Sequence, residues 1–198
     1  MISITPPATR ITDEDQVLLQ LDALVNSVPV TDTFHHLGHE GKVFIHSDRH
    51  GPIANGASFD ILIRVPAGNP DRQIHMRFNY TAEANTGTLD VDVILYKDTI
   101  VSADGTLEDI MSTNDAVVKS TGVLMFEGPT ITDLGEQKAW AMIVGEKKSA
   151  SSKEQAVPEW ILAPDGSNAR NYLMRATNNG GGTVDIVNAI FFYDSEAA

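Results

Sequence analysis

The chain has 198 residues, 42% of them hydrophobic and 21% charged, with no cysteine. That length buries one proper core but is short for two, and the lack of cysteine excludes disulfides, thiolate metal sites and a cysteine nucleophile. Twenty-seven acidic against fourteen basic residues leave a formal charge of -13, which repels nucleic acid over most of the surface and predicts no nucleic-acid partner.

The opening MISITPPATRITDEDQ has two prolines and an early acidic cluster but no long apolar core, so it does not read as a secretory signal. No apolar run approaches membrane-spanning length, and the expectation is a chain made in the cytoplasm with no membrane partner. Residues 1–10 read as an extended arm. Thr12 then precedes the run Val17, Leu18, Leu21, Leu24, Val25, Val28, whose spacing is helical, with Asp15 completing a capping-box-like start and Asp13 and Glu14 suiting the helix dipole. The predicted organisation is an N-terminal arm and short helix over residues 1–33, followed by a β-sandwich domain over 34–198.

From Phe34 onward the hydrophobic period changes from helix to strand, with β-branched and aromatic clusters broken by Gly, Asn, Asp and Pro. Strands are predicted at Lys42 to His46, Ala57 to Val65, Ile74 to Thr81, Thr88 to Tyr96, Gly122 to Glu127, Lys138 to Val144, Glu159 to Leu162, Tyr172 to Thr177 and Thr183 to Tyr193. Phe59, Ile61, Ile63 and Val65 alternate onto one face, as do Leu89, Val91, Val93 and Leu95. Eight or nine such strands predict an all-β fold, a sandwich of two antiparallel sheets. Two longer polar connections, Lys97 to Thr121 and Gly145 to Pro158, are expected on the surface.

Chemistry has few candidates. His35, His36, His39, His46 and His50 crowd into HHLGHEGKVFIHSDRH, but Gly38 and Gly41 disfavour the helix that would align His35 with His39, and the HExxH order is absent. Structural histidines are expected and no metal is predicted; were one needed, His35, His39 and His46 would be the first ligands to examine. Asp60, Asp90 and Asp92 fall on strands, the last two opposite Val91 and Val93, and read as solvent-facing. Ser102 to Thr106, SADGT, lacks the ligands of a calcium loop and reads as a turn made by Asp104 and Gly105. NNGGG, from Asn178 to Gly182, is expected to be a flexible hairpin connection, with neither a following helix nor a lysine to hold phosphate. No catalytic, cofactor-binding or metal-binding residue is predicted. Trp140 and Trp160 are expected in the core before they are expected as interface anchors.

Taken in order, HEGKVF (His39 to Phe44), the strand carrying His75, LYKDTIVSADGT (Leu95 to Thr106), PTITDLG (Pro129 to Gly135), EWIL (Glu159 to Leu162), YLMRATNN (Tyr172 to Asn179) and FFYD (Phe191 to Asp194) resemble a family of tailed-bacteriophage structural proteins. The resemblance spans roughly residues 34 to 194. It implies a virion component, a jelly-roll-like head decoration (cement) protein on the capsid surface, with the major capsid protein and neighbouring copies as partners, no cofactor and no enzymatic activity. The chain departs from the family's pattern at MSTNDAVVKS and at EKKSASSKEQAVP, both in expected loops, where recognition rather than the core would change. Rival expectations are another place in the virion (tail, baseplate or head-tail junction), a carbohydrate-binding module, and a hydrolase.

Overall fold

Strict alternation of apolar and polar residues makes one face of each long strand apolar, and two such faces meet to form the core. The strand Ile74–Ala84 (β3) buries every second side chain along its length, and Leu89–Lys97 (β4) does so from Leu89 to Leu95. The computed structural model describes residues 37–117, 119–145, 149–151 and 160–194. The arm and helix expected over residues 1–33 lie outside the described residues.

The remaining strands are Val43–Ile53 (β1), Ser58–Val65 (β2), Ile100–Ala103 (β5), Thr106–Glu108 (β6), Met111–Ser112 (β7), Leu124–Glu127 (β8), Thr130–Asp133 (β9), Glu136–Gly145 (β10), Ser149–Ser151 (β11), Trp160–Leu162 (β12), Arg170–Asn178 (β13) and Val184–Asp194 (β14). One sheet runs β11-β3-β14-β1-β7, with β12 also pairing β3; the second runs β10-β4-β13-β2-β8-β6; β5 and β9 form a separate ribbon. All the pairings are antiparallel.

Strand order defines the topology. If β11 and β12, which share β3 as partner, are taken as one position, that position and the seven long strands number one to eight along the chain. The sheets then read 1-8-3-6 and 2-7-4-5, two interlocked Greek keys that make a jelly roll. The core between them contains Phe44, Ile61, Ile63, Met76, Tyr80, Val91, Met174, Ile186 and Phe192, all at most 2% exposed.

A second apolar layer lies on the outer face of the β2-β13 sheet. Leu62, Phe126 and Leu173 are buried and adjacent in register, yet they belong to neither inner face. The chain after β4 folds back over them: Arg64 of β2 reaches Asp104, and the Asn171 amide donates to the Thr99 carbonyl at 3.1 Å.

Each of the nine predicted strands is present, but the connections differ from expectation. Lys97 to Thr121 contains β5, β6 and β7, and Gly145 to Pro158 contains β11, which pairs with Thr81–Glu83 of β3. These strands escape a periodicity test because they are two to four residues long, and β5, β6 and β7 are largely exposed. NNGGG is not a hairpin: β13 and β14 belong to different sheets, so it carries the chain across the end of the sandwich. Nor is it loosely held. Asn178 is fully buried, its amide donating to the carbonyls of Ile53 and Gly182 at 3.0 and 2.8 Å while its Oδ1 accepts from Gly180 N at 2.9 Å. A Cβ on Gly182 would lie 1.9 Å from the Thr86 carbonyl oxygen, so glycine is required there by close backbone approach rather than by flexibility.

Candidate functional site

The polar residues of β1 that alternate with its outward side chains gather at one edge of the sandwich. Phe44, His46, Asp48 and His50 share the inward face by strand alternation. Phe44 enters the core, whereas Asp48, farther along, is exposed. On the opposite sheet Glu127 of β8 pairs with Ile61 of β2 and takes the same inward face. Asp48, His50 and Glu127 thereby come together, each offering one ligand-type atom, all within 4.8 Å of one another.

His50 is held in a defined orientation. It is 7% exposed, its ring stacks on Phe59 with centroids 3.8 Å apart and planes at 22°, and Nε2 lies 2.9 Å from the Asn188 amide nitrogen. Nδ1 is left facing Glu127 Oε1 at 3.4 Å. Among the described residues neither Asp48 nor Glu127 has a lysine or arginine within ion-pair distance; Arg49, the nearest cation in sequence, turns to the outer face and pairs with Asp185 at 2.7 Å. Two carboxylates therefore sit beside an imidazole without a neighbouring fixed cation.

Among the described residues no other histidine joins this group. His46 is buried, with Nδ1 3.0 Å from the Asp109 carbonyl oxygen and Nε2 buried without a hydrogen-bond partner. His39 is exposed in the helical turn at residues 37–39, and His35 and His36 lie outside the described residues. Among the described residues, His50 is the histidine of that segment that meets Asp48 and Glu127. Its partner Glu127 is remote in the chain and joins it only because the sheets meet at this edge, so local spacing carries no sign of it.

The strand carboxylates resolve differently. Asp60 forms a two-point ion pair with Arg175 on the outer face, and Asp92 accepts from the Asn179 amide at 2.8 Å. Asp104 and Gly105 do not make the expected turn: β5 and β6 keep one antiparallel register against β9 and β8 on either side of them, so the chain runs on through this point, with Gly105 at φ 95° and Asp104 bound by Arg64. The hydrogen bond from Arg64 holds the Asp104 carboxyl below its ordinary pKa.

Two concavities are formed by other described residues. A shallow groove of about 550 Å³ is lined by Gly38, His39, Val43, Asn114 and Phe191. A smaller cleft of about 280 Å³ is lined by Leu95, Lys97, Trp160, Arg170 and Tyr172. Trp160 is partly buried against the core, and Tyr172 is buried with its hydroxyl bonded to both backbone groups of Ala163 at 3.0 and 3.1 Å. Neither ring is offered as an exposed sugar-stacking platform. The side chain of Trp140 lies outside the described residues.

Among the described residues no helix is long and apolar enough to cross a membrane. No family model and no curated protein matches the chain.

Proposed function

We propose that the chain is a structural protein of a tailed-phage virion, a non-enzymatic decoration (cement) subunit that binds and stabilises the capsid exterior. The observation that carries this reading is a jelly roll bordered along one edge by short strands with exposed apolar side chains. The consecutive strands β6 and β7 extend the two sheets on the same side, β6 beyond β8 and β7 beyond β1. They present Leu107 at 60% and Met111 at 63% exposure, with Leu124 of β8 at 41%. Leu107 pairs with Phe126, two residues from Leu124 on the same outward face, so this part of the edge is contiguous.

An apolar edge of short strands suits protein contact better than solvent. Seated where capsid subunits meet, such a subunit touches several neighbours, and modest contacts add once it is held in place. Because it binds the assembled lattice and not the dispersed subunits, it stabilises the lattice by mass action. The major capsid protein and neighbouring copies of this chain are the partners in this account. The rival placement, on the tail, baseplate or head-tail junction, uses the same edge against a different surface.

The test is sedimentation of purified protein with mature capsids that lack it, followed by thermal rupture of the particles. Saturable binding with a higher rupture temperature supports the proposal; sedimentation with tails and not with heads overturns it.

A further inference from the structure

We infer that Asp48, His50 and Glu127 form a binding site for a first-row divalent cation, Zn²⁺ foremost, which ties β1 of one sheet to β8 of the other at the open edge of the sandwich. The inference is independent of the virion reading and would hold for a protein of any function.

Geometry is the first support. His50 Nδ1 and Glu127 Oε1 are 3.4 Å apart, long for an N–H···O hydrogen bond, whose usual length is about 2.9 Å. Two ligands on one tetrahedral Zn²⁺, each at about 2.0–2.1 Å, are separated by roughly 3.3–3.4 Å. The third donor, on Asp48, lies within the same 4.8 Å limit. One imidazole nitrogen with two carboxylates suits zinc, manganese or cobalt better than calcium, which takes an all-oxygen shell.

Electrostatics is the second. Asp48 and Glu127 approach each other without a lysine or arginine between them, at the edge of a chain with net charge -13. A divalent cation removes that repulsion and adds a bond between strands that share no hydrogen-bond ladder.

The surroundings of His50 supply the third. Stacking on Phe59 and contact with Asn188 fix the ring so that Nδ1 meets the carboxylates. In the orientation described, the Asn188 amide donates to Nε2, while Asn188 Oδ1 is fully buried without a partner. Turning the amide by half a turn, a change the side chain's shape does not oppose, brings Oδ1 to accept from Nε2–H. The Nδ1 lone pair is then free for the ion. Asn188 keeps one satisfied polar group either way, and it acts as a positioning residue of the kind that orients metal-bound histidines.

The experiment is thermal unfolding of the chelator-stripped full chain, titrated with ZnCl₂, MnCl₂, CoCl₂ and CaCl₂. The wild type should gain roughly 5–10 °C in Tm at free Zn²⁺ about 100 times Kd, with little response to Ca²⁺. The variant Asp48→Asn/Glu127→Gln, isosteric at exposed or half-exposed positions, should keep the metal-free Tm and lose the gain. A His35→Ala/His36→Ala/His39→Ala variant should retain it. Co²⁺ bound to the wild type should show visible absorption that the carboxylate variant lacks. The inference is overturned if no transition metal raises Tm, if the gain persists in Asp48→Asn/Glu127→Gln, or if it disappears in the triple histidine variant.

Discussion

Arg175 of β13 and Asp60 of β2 face each other across the ladder and join at two points, Nε to Oδ1 at 2.7 Å and Nη2 to Oδ2 at 2.8 Å. The two side chains are 25% and 14% exposed, so the pair is partly shielded from water, and the hydrogen bond to Asp60 raises the pKa of Arg175. Asp60→Ala should cost about 1–3 kcal/mol, because it leaves a half-buried guanidinium without its acceptor. Replacing both residues by leucine should recover much of that loss. A double-mutant cycle by urea unfolding checks this, and a coupling energy near zero would contradict it.

Asn178 links three parts of the fold by side-chain bonds alone: the end of β1 through Ile53, the glycine turn through Gly180, and the approach to β14 through Gly182. Asn178→Ala should therefore destabilise by about 2–4 kcal/mol, since two carbonyls and one N–H lose their partner inside the structure. Gly182→Ala should be similarly harmful through the clash with Thr86. Guanidinium unfolding midpoints measure both, and a glycine variant as stable as wild type would mean that this crossing tolerates a wider path.

Acid should weaken the fold through two surface pairs. The Asp104 pKa is lowered chiefly by the hydrogen bond from Arg64, and that of Asp185 chiefly by the bond from Arg49, with Asn85 adding to it. Folded pKa values below the unfolded value near about 3.9 mean that the stabilisation is fully present above that value and is lost as pH falls through the folded pKa. Tm should therefore drop below about pH 4, and Asp104→Asn/Asp185→Asn should flatten that drop while lowering Tm at neutral pH. Parallel acid profiles for the two proteins would show that these pairs carry none of it.

The sandwich was legible because its long strands alternate: Leu89, Val91, Val93 and Leu95 lie on one buried face, as their spacing requires. β1 extends past His46 because Asp48, Arg49 and His50 keep pairing with β14 although their polarity hides the strand. The outer layer was not legible. Leu62 and Leu173 occupy positions that alternation assigns to solvent, and only the chain folding back after β4 buries them. The group at the open edge was invisible for a related reason, since Asp48 and His50 meet Glu127 through the packing of two sheets rather than through sequence spacing.

If the apolar edge is the contact surface, replacing Leu107, Met111 and Leu124 with glutamate should leave Tm nearly unchanged, because all three side chains already meet water. The same triple variant should lose most of its attachment to particles, as charges enter an apolar interface. Sedimentation beside a thermal melt checks both. Undiminished attachment would move the contact elsewhere on the molecule.

Copy number in purified particles tests the central claim most directly. A subunit placed across the capsid surface should occur in a fixed ratio to the major capsid protein, remain with heads when tails are removed, and be released without loss of the packaged genome under mild conditions. Quantitative mass spectrometry of separated heads and tails measures that ratio. A head-bound stoichiometry proportional to the capsid lattice is the predicted result. A few copies confined to the tail or the head-tail junction, or no copies on the particle, would contradict the account.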